Sequence, residues 1–210
     1  TRTPSSAASD VYKRQVMFTS DGRTVVTTGP DFSAVRNAED GSLRFEPIQT
    51  GGRLKAAVSP DDSALALVAQ GPGGLRVFDL QTGRPLSETM VHSDFVFALA
   101  FSRDGNLLLT AGRDGQALLW NWRENRRVCP PLDHPDEVYD VALTPDHEFA
   151  LTACRDGYVR IWELTTGKLV ASPYRIRGRM ATSVAVTPDG RRAVLGLSLI
   201  HISEPTRRAL

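Results

Sequence analysis

Residues 96–115 read VFALAFSRDGNLLLTAGRDG, and residues 138–157 read VYDVALTPDHEFALTACRDG. The second stretch begins 42 residues after the first, and the agreement runs position by position. Asp104 and Asp146, Thr110 and Thr152, Asp114 and Asp156, and Trp120 and Trp162 all share this step, as do His92 and His134. Gly41, Gly83, Asn125 and Gly167 keep the same interval. A fixed period of this length is the mark of a repeat architecture built from one supersecondary unit per repeat.

Each unit carries strand signals. Val138–Leu143, Phe149–Ala153 and Tyr158–Trp162 are short runs rich in β-favouring side chains. Pro145-Asp146 and Asp156-Gly157 separate them as turn dipeptides, and Thr166-Gly167 precedes a fourth run over 168–172. No segment shows a convincing helical period. Four short strands per repeat of this length predict a propeller blade. A less regular unit spans 54–95, with Ser59-Pro60-Asp61-Asp62 as its first turn and Val77-Phe78-Asp79 at the aromatic position. A degraded unit precedes it, from Thr19-Ser20-Asp21-Gly22, and a partial fifth begins at Val184. In the degraded unit Val35-Arg36 runs into Asn37, and about two residues are expected to be missing where the apolar–Trp pair belongs, which puts its third strand in question.

The two ends read differently. Asp10-Val-Tyr-Lys-Arg-Gln15 back-translates as GATGTGTATAAGAGACAG, whose reverse complement translates as Leu-Ser-Leu-Ile-His-Ile, the sequence of residues 197–202. Residues 1–15 and 197–210 are therefore expected to be adapter-derived ends resembling translated transposon-end adapters of sequencing libraries, with 16–196 as the native repeat region. Over the whole chain the net charge is +1; without the ends, 20 basic and 22 acidic residues leave −2. No global field favours nucleic acid or an anionic membrane, and no run is long and apolar enough to span a bilayer. The expected compartment is the cytoplasm.

The constellation resembles the WD40 family, whose signature combines a His, an alternating strand, a Ser-Pro-Asp-Gly turn, a Ser/Thr and Asp, and a closing Trp-Asp. Here the closing pairs are Phe78-Asp79, Trp120-Asn121 and Trp162-Glu163, and Val91 and Asp133 precede the His in place of Gly. The resemblance implies an all-β, open arc of about four four-stranded β-propeller blades plus a partial fifth. It also implies two buried hydrogen-bonded tetrads, His92–Asp114–Thr110–Trp120 and His134–Asp156–Thr152–Trp162. The Phe78 blade lacks the set, having Val68 and Pro72 at the Thr and Asp positions.

His92–Asp114 and His134–Asp156 could act as general-base dyads. Their recurrence in consecutive repeats, together with Thr and Trp, reads instead as framework. Asp61-Asp62 and the Asp133–Glu137 stretch lack metal-site spacing, and Gly71-Pro-Gly-Gly74 is not followed by the Gly-Lys-Ser/Thr of a phosphate loop. Arg175-Ile-Arg-Gly-Arg179 forms a basic loop without interleaved aromatics. Cys129 and Cys154 are read as free buried thiols, and Trp122 as a packing residue at the position of Leu80 and Leu164. No catalytic residue, metal or cofactor is assigned.

The expected function is a non-catalytic interaction scaffold that binds protein or peptide partners, with neither nucleic acid nor membrane as partner. The contact candidates lie near the loop rims: Phe95, Glu137 and Arg179 before the first strands, Phe97 and Tyr139 beside them, and Arg113 and Arg155 on tight turns. The alternative is a regulatory domain of a larger bacterial serine/threonine kinase or other signalling protein, because the Thr-Pro-Asp-Gly-Arg-Arg turn and the Thr-Gly-Lys and Thr-Gly-Arg closures resemble bacterial arrays. A propeller hydrolase would need acidic or His residues converging on a channel outside the tetrads, and none is evident.

Overall fold

The computed structural model describes residues 15–29, 31–49, 55–68, 74–175 and 179–199. Among these residues there is no helix; twenty strands form five antiparallel sheets. Sheet I holds β1 (Gln15–Phe18), β2 (Thr24–Thr28), β3 (Phe32–Asn37) and β4 (Ile48–Gln49). Sheet II holds β5 (Ala56–Val58), β6 (Ala64–Val68), β7 (Gly74–Asp79) and β8 (Met90–Val91). Sheet III holds β9 (Val96–Phe101), β10 (Leu107–Gly112), β11 (Gln116–Asn121), β12 (Arg126–Arg127) and β13 (Leu132–Asp133). Sheet IV holds β14 (Val138–Leu143), β15 (Phe149–Cys154), β16 (Tyr158–Glu163), β17 (Lys168–Leu169) and β18 (Tyr174–Arg175). Sheet V contributes β19 (Arg179–Val186) and β20 (Ala193–Leu199).

Each of the first four sheets is a meander, with its fourth strand interrupted. One half pairs with the end of the third strand, through Arg36–Leu43, Phe78–Pro85, Trp120–Arg127 and Trp162–Leu169. The other half pairs with its beginning, at Ser33–Ile48, Leu75–Met90, Ala117–Leu132 and Val159–Tyr174. Every one of these pairs recurs at 42 residues. The third strand of sheet I is therefore complete, contrary to the expected two-residue deficit. Arg36 simply stands in the column of Phe78, Trp120 and Trp162. Loss of the aromatic removed the cue, while the backbone register is kept by the turn in which the Gly41 N–H donates to the Asn37 carbonyl at 3.0 Å.

The turns explain the regularity. The hydroxyls of Thr19, Ser59, Ser102, Thr144 and Thr187 each donate to the Asp two residues on, at 2.5–2.6 Å. Each hydroxyl also accepts the backbone N–H that opens, or immediately precedes, the second strand, at 2.9–3.1 Å. One side-chain pair thus closes the first turn in all five sheets. Donation from the hydroxyl holds Asp21, Asp61, Asp146 and Asp189 below the usual carboxylate range. The turn after each third strand needs positive φ, and Gly41 (73°), Gly83 (71°), Asn125 (50°) and Gly167 (68°) supply it.

The apolar core is divided among four inter-sheet layers. Val26 and Val35 of sheet I meet Leu65, Leu67 and Leu80 of sheet II. Val77 and Met90 of sheet II meet Leu108, Trp120 and Trp122 of sheet III. Leu109, Leu119 and Leu132 of sheet III meet Val141, Trp162 and Leu164 of sheet IV. Leu151 and Val159 of sheet IV meet Ala181 and Val184 of sheet V. Among the described residues each of these layers joins two consecutive sheets, so stability is distributed along the stack. The arrangement is open, as the resemblance implied: four complete sheets and a fifth of two strands among the described residues.

The stack ends unevenly. Val16 and Phe18 on β1 are 60% and 63% exposed, whereas Val141 and Leu143, which occupy the same register in sheet IV, pack against sheet III. Residues 1–14 and 200–210 lie outside the described residues. Of the stretches read as adapter-derived, Gln15 opens β1 and Leu197–Leu199 close β20.

Candidate functional site

The loop that links one sheet to the next lies beside the tight turn between the second and third strands of the earlier sheet. The His134 N–H donates to the Gly115 carbonyl at 2.8 Å. A Cβ on Gly115 would sit 2.9 Å from the His134 carbonyl oxygen, so glycine is required there for space as well as for its φ of 73°.

In sheet III the loop delivers His92 into the layer beneath. Its Nδ1 contacts Asp114 Oδ2 at 2.9 Å and its Nε2 contacts Thr110 Oγ1 at 2.7 Å. The Trp120 indole N–H donates to the same Thr110 oxygen at 2.9 Å. With Nδ1–H donating to the carboxylate, Nε2 accepts the Thr110 hydroxyl proton, and Thr110 accepts from Trp120, so every group is satisfied. His92 is 1% exposed. Burial opposes the Asp114 carboxylate, but the hydrogen bonds from His92 and from the N–H groups of Gln116 and Ser93 outweigh it and hold the carboxyl low. All four predicted residues meet here.

In sheet IV the expected tetrad does not form. Thr152 still accepts from Trp162 at 3.0 Å and contacts His134 Nε2 at 2.7 Å. However, His134 Nδ1 donates to the Leu132 carbonyl at 2.8 Å, and Asp156 takes both arms of the Arg160 guanidinium, at 2.6 and 3.2 Å. Arg160 stands in the column of Leu118. A forked, permanently charged donor matches a carboxylate better than a neutral imidazole does. Left without a carboxylate, His134 is pushed down to about 4, first by burial and then by the Arg160 charge. The identity of the four columns gives no sign of this exchange; its signal in the sequence is the Arg four positions after Asp156.

His92 is buried and His134 half-buried. Each ring has both nitrogens engaged. Cys129 and Cys154 are free and buried, as read from sequence, and burial pushes both thiols up, Cys154 to about 11. Trp122 packs as expected, with its indole N–H donating to the Gly105 carbonyl at 2.9 Å. Among the described residues no group of three or more His, Cys, Asp or Glu side chains is placed to hold a metal. Residues 71–73 of the glycine-rich loop and 176–178 of the arginine loop lie outside the described residues, and Arg179 is described only as the first residue of β19.

The rim candidates do gather. Phe97 and Tyr139 stand at equivalent positions on β9 and β14, their ring centroids 5.9 Å apart and tilted by 42°. Phe95, at the mouth of β9, is 39% exposed. Arg113 Nε lies 3.4 Å from Glu137 Oε1, and Arg155 lies 3.7 Å from the same oxygen. Burial, then the nearby Glu137 charge, pushes the Tyr139 phenol up. Two acids outside the predicted set belong here: Asp94, 3.9 Å from Arg113, and Asp136, 3.8 Å from Arg155. Their 42-residue spacing was a signal in the sequence. Between the charges opens a depression of about 260 Å³, lined by Asp94, Arg113, His134, Asp136 and Glu137. At the opposite end of the strands a cleft of about 320 Å³ lies among Phe101, Arg103, Leu143, Pro145, Val186 and Pro188.

Comparison with known proteins agrees with this repeat geometry. The family model "WD domain, G-beta repeat" matches residues 83–121 and 128–163. The chain is 29% identical over 116 residues to WD repeat-containing protein 55 of Bos taurus, covering 54% of this chain and 30% of that protein. It is 31% identical over 71 residues to the THO complex subunit 6 homolog of Danio rerio, covering 34% and 22%. It is 52% identical over 42 residues to Autophagy-related protein 16 of Arabidopsis thaliana, covering 20% and 8%. The chain thus spans less than a third of the length of each of these curated relatives.

Proposed function

Since residues 83–121 and 128–163 match the WD40 repeat model and lie in a stack of antiparallel sheets, we propose that this chain is a non-catalytic scaffold that binds protein or peptide partners on its loop rim. The carrying observation is the convergence at one end of the strands of Phe95, the Phe97–Tyr139 ring pair, Arg113, Glu137 and Arg155. A partly exposed aromatic patch bordered by paired charges is the composition that concentrates binding energy at protein interfaces. The engagement of both ring nitrogens of His92 and of His134 supports a framework role for the His residues rather than a catalytic one. One similar protein is named as a subunit of a complex, which fits a role in assembly.

The test is peptide display selection on the folded chain. Selected peptides should lose about tenfold or more in affinity for a Phe97→Ala/Tyr139→Ala variant, the effect of removing an aromatic anchor. They should be unaffected by Arg103→Ala at the opposite end. Peptides that bind the rim variant as well as the parent would sink the proposal.

A further inference from the structure

The charge arrangement at the rim points to a particular kind of ligand group. Arg113 and Arg155 occupy one column of the repeat, on the tight turns of sheets III and IV. Both are half exposed, at 53% and 51% of their side-chain surface. They share a single carboxylate oxygen on Glu137, which is 19% exposed, at 3.4 and 3.7 Å. A charge-assisted N–H···O bond closes to about 2.7–2.9 Å, and Asp156, the residue after Arg155, meets Arg160 more closely still, at 2.6 Å. Among the described residues neither Arg113 nor Arg155 donates a side-chain hydrogen bond, so most of the five N–H donors of each guanidinium are unused. Asp94 and Asp136 stand still farther off, at 3.9 and 3.8 Å, and are about 40% exposed.

We propose that Arg113 and Arg155 form a two-guanidinium clamp for an anionic side chain of a bound peptide, a carboxylate or a phosphoryl group, and that Glu137 fills the clamp until a partner displaces it. The proposal rests on the rim reading above and names the ligand chemistry of the same surface. Because the two turns are fixed by adjacent sheets, the backbone positions of the two arginines are set before the ligand arrives, and binding has only their side chains left to order. An anion with two or three oxygens can bridge donors that one Glu137 oxygen only approaches. The Phe97–Tyr139 ring pair supplies the apolar surface for the neighbouring peptide residues.

The experiment follows the arginine Nε–Hε NMR signals of the full chain while three blocked, otherwise identical peptides are added, carrying one Glu, one phosphoserine or one Gln. The signals of Arg113 and Arg155 should move saturably with Glu and phosphoserine, and with Gln not at all. Glu137→Gln should tighten both anionic peptides by about two- to fivefold, the range of an exposed ion pair. Arg113→Gln/Arg155→Gln should abolish the preference for Glu over Gln. An affinity unchanged by Glu137→Gln overturns the proposal, as do equal responses to the Glu and Gln peptides. Inorganic phosphate binding as tightly as the phosphoserine peptide overturns its peptide part. If anionic peptides depend on Phe97 and Tyr139 but not on the two arginines, the rim reading stands and the clamp falls.

Discussion

Sheets III and IV carry the same His, Thr, Asp and Trp at the same spacing, yet they solve the burial problem differently. In sheet III the carboxylate orders the imidazole; in sheet IV it neutralises a guanidinium, and the imidazole falls back on a backbone carbonyl. The invariant part is the Trp–Thr–His segment. The variable part is the carboxylate, whose partner is decided by one residue outside the set, Leu118 in one sheet and Arg160 in the other. A repeated motif therefore fixes geometry more strongly than it fixes charge pairing.

The largest effects should come from both tryptophans and from Asp156. Trp120→Ala and Trp162→Ala each open a cavity in an inter-sheet layer and should cost about 3–5 kcal/mol. Equal losses in urea unfolding would mark the common part of the two sheets. Asp156→Ala leaves the Arg160 guanidinium buried without its carboxylate and should also cost about 3–5 kcal/mol. Arg160→Leu, which installs the sheet III residue, should cost less, because His134 can then offer its Nδ1–H to Asp156. A loss from Arg160→Leu as large as that from Asp156→Ala would break the account of the exchange.

Acid should separate the sheets next. His134 sits at about 4 in the folded chain, against about 6.5 when free. Above pH 6.5 it is neutral in both states and its burial carries no proton penalty. As pH falls from 6.5 towards 4 the unfolded chain takes up the proton and the folded chain does not, so stability declines, by on the order of 3 kcal/mol in all. The depressed carboxyls of Asp114 and Asp156 add their loss only below about 4, as pH falls through their folded values. Chemical unfolding at a series of pH values should show the decline between 6.5 and 4, and His134→Gln should flatten it. Persistence of the full slope in that variant would place the titration elsewhere.

Asp114→Ala should be milder than Asp156→Ala, at about 1–3 kcal/mol, because it leaves the His92 ring N–H and two backbone N–H groups without an acceptor rather than a bare guanidinium. The ordering of these two substitutions is the sharpest single check on the comparison, since the sequence assigns both aspartates one role.

Much of this was legible before any coordinates. The 42-residue step placed the strand pairs of sheets III and IV and the outer two strands of sheet II, whose β5 and β6 stand 43 residues before β9 and β10, and the Ser/Thr-x-Asp turns marked the start of all five sheets. These features are local, since a hydroxyl two residues from a carboxylate needs no tertiary partner to close its turn. What escaped was competitive or lacked a side-chain cue. Arg160 wins Asp156 through its donor geometry. Arg36 holds the column of an aromatic while resembling none, so the third strand of sheet I looked truncated when its backbone pairing was intact. Phe97, Tyr139 and Glu137 were singled out at the rim, but Asp94 and Asp136 were not, although they repeat as faithfully.

The smallest predicted effect separates the rim from the layers beneath it. Arg113 lies within 4 Å of two carboxylates, as many ion pairs as any side chain here forms, yet it is 53% exposed and closes neither pair tightly. Solvent screens such pairs, and ordering a long side chain offsets most of what remains. Arg113→Gln should therefore shift the unfolding free energy by less than about 0.5 kcal/mol, several-fold less than any change at Asp156. A larger loss, measured in the same urea titration, would mean that the rim arginines help to hold sheets III and IV together. With a loss below that bound, the stack keeps its shape whichever anion Arg113 faces, and the donors of that side chain remain available to a partner.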